Sequence, residues 1–357
     1  MNTFGSFFTL TTAGESHGQE MIGIIDGMPA GIKIDFDKIK LELSRRRPGQ
    51  KLTTKRYEED EVTFLSGILN GVTLGTPIAF SVKNKDCNTS DYEHLKASFR
   101  PSHADYTYQV KYGIRDIRGG GRASARETVL RVVGGALALH ALKKRNIEID
   151  AYTSRIGKVA LNSGSPVDLQ KIWESGIGCP DQETSEKMIA ELEYIRLNGD
   201  TVGCEISCIV SGLPAGVGEP IYDKLSARLG YAMLSINAAH SFEYGDGSVM
   251  GASLGSDMVD KFIMNSDGTV GTLTNHSGGI QGGISNGMPI KFKVSFKPLP
   301  TLMQTVQSIN YKGDNMKIEP HGRHDVCASP RVVPVVRAMA AMTILDLLLQ
   351  HESRRHF

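Results

Sequence analysis

The chain has 357 residues, 40% hydrophobic and 22% charged, with 40 basic against 39 acidic side chains and a formal net charge of +1. That is an ordinary globular balance in a chain long enough to bury its own core. The near-zero charge argues against a global basic field for nucleic acid, so any cluster of arginines needs a local reason.

The five cysteines are odd in number and form no CxxC pair, which fits a reducing cytosol and argues against a structural zinc site; no metal is expected. The opening stretch MNTFGSFFTLTTAGESHG lacks a basic start followed by a long apolar run, so no signal peptide is predicted. No apolar stretch is expected to reach the ~18 residues of a membrane span, which predicts a soluble, cytoplasmic protein with no membrane partner.

In chain order, Met21 to Ile25 reads as a strand closed by a turn at Asp26-Gly27. Asp35 then caps a helix through DFDKIKLELSRRR, with Ile39, Leu43 and Leu41 facing inward and Pro48-Gly49 ending it. Residues 62–69 and 78–82 read as strands around a turn at 74–77. The clearest helix runs from Ser124 to about Lys144, with Ser124 and Glu127 at capping-box spacing and a stripe of Val129, Val132, Val133, Ala136 and Leu137. Gly134-Gly135 at its middle costs about 1 kcal/mol per glycine in an isolated helix, which points to close packing.

Further helices are predicted near 167–175 and 183–197, then a strand at 204–212 with Cys204, Ile206 and Cys208 on one face. A helix at 222–236 and a strand at 289–296 with lysines outward follow. A last helix runs from near Arg331 to about Gln350, with Ser329-Pro330 at its start. Strands and helices come in runs rather than in alternation, which predicts an α+β fold, and no linker divides residues 1–357, so one domain is expected.

Five segments carry chemistry. Gly14-Glu15-Ser16-His17-Gly18 places a histidine on a turn after a strand, where it can reach a ligand and donate a proton; a plain turn with an exposed histidine reads the same. Phe99 to Thr107 puts His103 beside Arg100, Asp105 and Tyr106, as a second acid–base group or a surface loop. Arg118-Gly119-Gly120-Gly121-Arg122 feeds a helix N-terminus with exposed N–H groups and arginine forks, an anion site that is neither a Walker loop nor a GxGxxG turn. Gly322 to Cys327 brings Arg323, His324 and Asp325 together, for chemistry or as a buried ion pair. Thr274 to Ser285 holds two Gly-Gly pairs, for close approach to a flat ligand or for tight turns. Residues 45–47, 100, 118–126 and 323 together suit a small-molecule substrate with several negative groups.

The blocks GESHG, RRRPGQ, RPSHADYTY with KYGIRD, RGGGRASARET, MLSINAA, NHSGGIQGGISNG and GRHDVC stand in the order seen in chorismate synthases, and the chain resembles that family from about residue 4 to 350. The resemblance implies a helical layer between two antiparallel sheets, assembled as a homotetramer. It implies 1,4-anti elimination of phosphate from 5-enolpyruvylshikimate 3-phosphate to give chorismate, with reduced FMN bound but not consumed. NADPH is then a candidate reductant for the flavin, and a separate flavin reductase is the alternative.

By the same resemblance, His17 corresponds to the histidine that protonates the leaving phosphate, His103 to the one near the flavin ring, and Asp325 to the carboxylate near flavin N5. Arg122, Ala123, Ser124, Asn237, Ala238, Gly282, Lys297, Pro298, Leu299, Pro300, Thr301 and Arg323 match FMN-holding positions. Arg46, with Arg45, Arg126 and Lys51, is implied for substrate or NADP. Three departures stand out: Ala13 replaces a common Phe and is expected to loosen packing behind His17; Ala123 replaces a Ser; and Lys51 stands near a usual Arg. A flavin oxidoreductase using NADPH for net reduction, and an anion- or RNA-binding module, are the alternatives from other classes.

Overall fold

The structure, a computed structural model, describes residues 1–47, 60–85, 98–162, 167–319 and 325–354. Lys51, Arg323, Pro48-Gly49 and His324 lie outside the described residues.

Five strands form the first sheet: β1 (Thr3–Phe4), β2 (Thr9–Ala13), β3 (Glu20–Asp26), β4 (Val62–Phe64) and β5 (Ile78–Lys83), in the order β1-β2-β3-β5-β4. Every neighbour pair is antiparallel. Along β3, Met21, Gly23 and Ile25 face the core while Ile22 and Ile24 face out, the two-residue period of a sheet covered on one side. Gly23 is required by its partner, because a β-carbon there would lie 2.2 Å from the Phe80 ring.

The second sheet holds β6 (Glu148–Ile156), β7 (Val159–Ala160), β8 (Cys204–Ser211), β9 (Ala239–Tyr244) and β10 (Ile290–Phe296), in the order β9-β10-β8-β6-β7, also antiparallel. Cys204, Ile206 and Cys208 share the buried face of β8, as the alternation predicts.

The helices are α1 (Phe36–Arg46), α2 (Asp105–Tyr112), α3 (Thr128–Lys143), α4 (Gln182–Leu197), α5 (Leu225–Leu234) and α6 (Val333–Arg354). Helix α3 touches β2 and β3 on one side and β6 on the other; α6 touches β6 and β8, and α1 packs on both helices. The helical layer therefore lies between two antiparallel sheets in an α+β fold, as expected. Gly134-Gly135 allow it: a β-carbon on Gly135 would lie 2.3 Å from the Ala338 Cα, and one on Gly134 2.9 Å from the Met342 sulfur.

Several expectations change. Helix α6 is long and apolar enough to cross a membrane by length and composition, against the expectation of no such stretch, but 89% of its apolar window is buried here as a core helix. Leu41 faces solvent, since it lies off the Ile39–Leu43 stripe. The helix expected near 167–175 is a single 3₁₀ turn at Leu169–Lys171. Ser124 accepts a hydrogen bond from the Arg126 N–H, while Glu127 pairs with Arg131, so the capping box is not closed and a 3₁₀ turn precedes α3.

Candidate active site

His17 sits in the loop 14–19 that joins β2 to β3, at one end of the first sheet. The β3–β5 ladder ends at Glu20–Lys83, and the Asn84 N–H carries it one step on, to the Gln19 carbonyl at 3.1 Å. The loop is thus fastened to the end of β5. The His17 ring packs on the glycine run: a β-carbon on Gly119 would be 2.2 Å from its Cε1. Gly119, Gly120 and Gly121 have φ of 65°, 90° and 56°, the left-handed region that glycine enters without strain. Ser16 Oγ lies 3.2 Å from His17 Nδ1.

His103 stands just before α2, on a turn through Arg100 to Ser102. Its Nδ1 lies 3.0 Å from the Pro101 carbonyl, which can only accept, so Nδ1 carries the hydrogen; Nε2 faces Thr301 Oγ1 at 3.3 Å. Burial, then the Arg100 charge, lowers the His103 pKa and keeps the ring neutral at neutral pH. Asp105 anchors this turn with hydrogen bonds from the Arg100 N–H and guanidinium and an ion pair to Arg115 at 3.0 Å. Burial opposes the Asp105 charge, but Arg100 and then Arg115 outweigh it and hold the carboxyl down at about 2.

The glycine run lies between His17 and the Arg100 side chain of the His103 turn. It packs on His17 at Gly119, and Gly120 faces the guanidinium of Arg100, whose carbonyl accepts the His103 N–H at 3.2 Å. Beyond it, the Asn237 side-chain amide donates to the Ala123 carbonyl at 3.0 Å, while its Oδ1 is buried without a partner. Lys297 N–H donates to the Ala238 carbonyl at 3.0 Å, and Lys297 Nζ donates to the Ser102 carbonyl at 3.2 Å. Residues 297–301 therefore run as a strap from Asn237-Ala238 to His103. Arg122 reaches the base of the first hairpin, donating to Thr12 Oγ1 at 2.7 Å and to the Gly14 carbonyl at 3.3 Å. Gly282 is the turn of a small hairpin, Ile280–Gln281 with Ile284–Ser285, and open space surrounds the position of its missing β-carbon.

The arginines divide. Arg46, 2% exposed, pairs with Asp60 at 2.7 Å, and Arg126 pairs with the other Asp60 oxygen. Burial opposes the Asp60 charge, but Arg46 and Arg126 outweigh it and hold the carboxyl below its ordinary range. Arg331 pairs with Asp325 at 2.5 Å and donates to the Arg46 carbonyl at 3.1 Å, which ties Asp325 to the same network. Arg45 turns elsewhere, onto the Trp173 ring at 4.3 Å and Glu42 at 2.7 Å.

Asp60, Asn84 and Arg331 were not read from the sequence as site residues. An acidic run, EEDE, around Asp60 was the one available signal; nothing local marks Asn84 or Arg331. Among the described residues, no group of three His, Cys, Asp or Glu side chains could hold a metal ion.

The family model for chorismate synthase matches residues 8–349. The chain belongs to the chorismate synthase family. It is 51% identical to the chorismate synthase of Parabacteroides distasonis, covering 100% of both chains, and 52% identical to that of Christiangramia forsetii, covering 99% of both. A crystal structure of a chorismate synthase superposes with a TM-score of 0.78 at 28% identity, covering 97% of this chain and 93% of the other. The chain is therefore an enzyme, a carbon–oxygen lyase of the shikimate pathway that forms chorismate.

Proposed function

We propose that the enzyme removes phosphate from 5-enolpyruvylshikimate 3-phosphate by 1,4-anti elimination, with reduced FMN bound and no net change in redox state. The observation that carries this reading is the glycine run Gly119–Gly121, packed on His17 at one residue and facing, at the next, the guanidinium of Arg100 on the turn that carries His103. His17 thus packs on a glycine loop that leads into a helix N-terminus, and His103 stands on the neighbouring turn.

The residues present fit FMN. The buried, unpartnered Asn237 Oδ1 is an acceptor that lacks a donor, which a flavin ring N–H or ribityl hydroxyl would supply, and a β-carbon on Gly120 would meet nothing nearer than 3.8 Å. Arg122, Ala123, Ser124, Asn237, Ala238, Lys297 to Thr301 and, by resemblance, Gly282 and Arg323 would hold it. When bound, reduced FMN supplies electron density while phosphate departs.

His17 delivers the proton that the leaving phosphate oxygen takes up, which lowers the charge expelled. His103, whose pKa burial lowers, would by resemblance stand near the flavin ring without adding a positive charge there. Asp325, held by Arg331, assists removal of the C6 proton. Arg45, Arg46, Arg126 and Lys51 are assigned to substrate or NADPH by resemblance alone; an anion reaching Arg46 or Arg126 must share them with Asp60. One domain, a homotetramer and a cytoplasmic location complete the reading, with NADPH or a separate reductase as the source of reduced flavin.

The test is an anaerobic assay with pre-reduced FMN. Chorismate and phosphate are expected in equal amounts over many turnovers, without net flavin oxidation; net substrate reduction would instead assign an oxidoreductase. His17→Ala is expected to lower turnover by about 10²- to 10⁴-fold while reduced FMN still binds. Near-normal turnover of that variant removes His17 from the donor role.

A further inference from the structure

We infer that Asn84 is a positioning residue for His17, a role that rests on His17 as the proton donor. Asn84 follows the last residue of β5, opposite the loop that carries His17. Its side-chain amide donates to the Glu15 carbonyl at 3.1 Å and to the Gly18 carbonyl at 2.9 Å, and its backbone N–H donates to the Gln19 carbonyl at 3.1 Å. One residue thus grips the chain on both sides of His17.

The orientation of that side chain is fixed by chemistry. Its Oδ1 accepts from Arg126 Nε at 2.9 Å, and an arginine can only donate; its Nδ2 faces two carbonyls, which can only accept. Arg126 is in turn set by Asp60, whose second oxygen holds Arg46, and the Arg46 carbonyl receives Arg331, the partner of Asp325. Asn84 is therefore the last link between a buried ion network and the proton-donor loop. A side chain that donates to two carbonyls three positions apart, on either side of Ser16 and His17, holds the loop at a set curvature. Loss of that grip lets the His17 ring shift without removing it, and a misplacement of about 1 Å can lower a rate by about 10²-fold.

Asn84→Asp isolates the grip, because its carboxylate still accepts from Arg126 but has no donors for the two carbonyls. Asn84→Ala is the companion variant, without added charge. Both are expected to bind reduced FMN and substrate within about 3-fold of the parent, with kcat lowered about 10- to 100-fold. In the His17→Ala background the same substitutions are expected to change residual turnover by less than about 2-fold, since the step they serve is already lost. In flavin-free enzyme, the His17 ring resonances, identified by their loss in His17→Ala, are expected to shift or broaden in Asn84→Ala while those of His103 stay.

Undiminished kcat, or equal losses with and without His17, overturns the role of Asn84 while leaving His17 as donor. Near-normal turnover of His17→Ala overturns both. If Asn84→Asp does not fold, as judged by circular dichroism, Asn84→Ala and its cycle with His17→Ala decide the question alone.

Discussion

His17 packs on the glycine run and His103 stands on the turn whose Arg100 faces it, but the two histidines are held in place by different physics. His17 belongs to a β-hairpin end, and its surroundings are mostly backbone: carbonyls gripped by Asn84, a ladder extended to Gln19, and a glycine against the ring, with the Ser16 hydroxyl and the Asp116 charge as the polar neighbours. His103 belongs to a turn before a short helix, and its surroundings are charges. Asp105 gathers Arg100 and Arg115, and Arg115 also lies over the Phe99 and Tyr311 rings at 5.5 and 5.4 Å. A sheet end resists change in pH but not in shape. An ion cluster resists small changes in shape but not the loss of its central charge. Under the proposed mechanism, the group assigned to move a proton sits on the first kind of support, and the group assigned to stay neutral sits on the second.

The largest effect should come from breaking the charged side. Asp105→Asn leaves two largely buried arginines without their counter-charge, and is expected to lower stability by about 3–5 kcal/mol, read from denaturant unfolding. The same carboxyl sets a pH dependence. Its folded pKa of about 2 lies below the ordinary 3.8, so its contribution is fully present above about pH 4 and is lost as pH falls toward 2. A shift of that size corresponds to roughly 2 kcal/mol. Melting curves taken between pH 5 and 2 should fall less steeply in Asp105→Asn than in the parent; parallel curves would remove Asp105 as the source.

Breaking the backbone side should spare stability more than catalysis. Gly119→Ala places a methyl group 2.2 Å from the His17 ring at a φ of 65°. Left-handed strain costs about 1 kcal/mol, and the displaced ring should lower turnover by about 100-fold. Reduced FMN should still bind, and the unfolding midpoint should move far less than in Asp105→Asn. A variant that lost stability in proportion to activity would show that the glycine serves the fold rather than the placement of His17.

The same contrast explains what could be read from the sequence. The sheet and core elements were legible because period and packing are local: the alternation of β8, the apolar stripe of α3 and the Gly134-Gly135 contact all follow from spacing. The glycine run and its neighbouring histidines were legible as separate segments, since each carries its own residue types. Their assembly was not. Arg46 and Arg126 read as anion contacts for a ligand, and nothing in RRRPGQ or RASARET reveals Asp60 between them, 14 residues from one and 66 from the other. Asn84 is invisible for the same reason: its meaning comes from the register of β3 on β5, which only the folded sheet sets.

The smallest effect sharpens the comparison at Ala13, where the family commonly has phenylalanine. That absence was expected to loosen packing behind His17. In the structure Ala13 is exposed on β2, paired with the equally outward Ile22, on the sheet face turned away from the helical layer. Whatever holds His17 acts from the Asn84 and Gly119 sides, so no cavity waits for the missing ring. Ala13→Phe should form a cross-strand contact with Ile22 and raise stability by about 0.5 kcal/mol or less. Turnover should stay within about 2-fold, measured anaerobically beside the parent. A several-fold gain in turnover would mean that the outer face of the first sheet, and not only its end, takes part in holding His17.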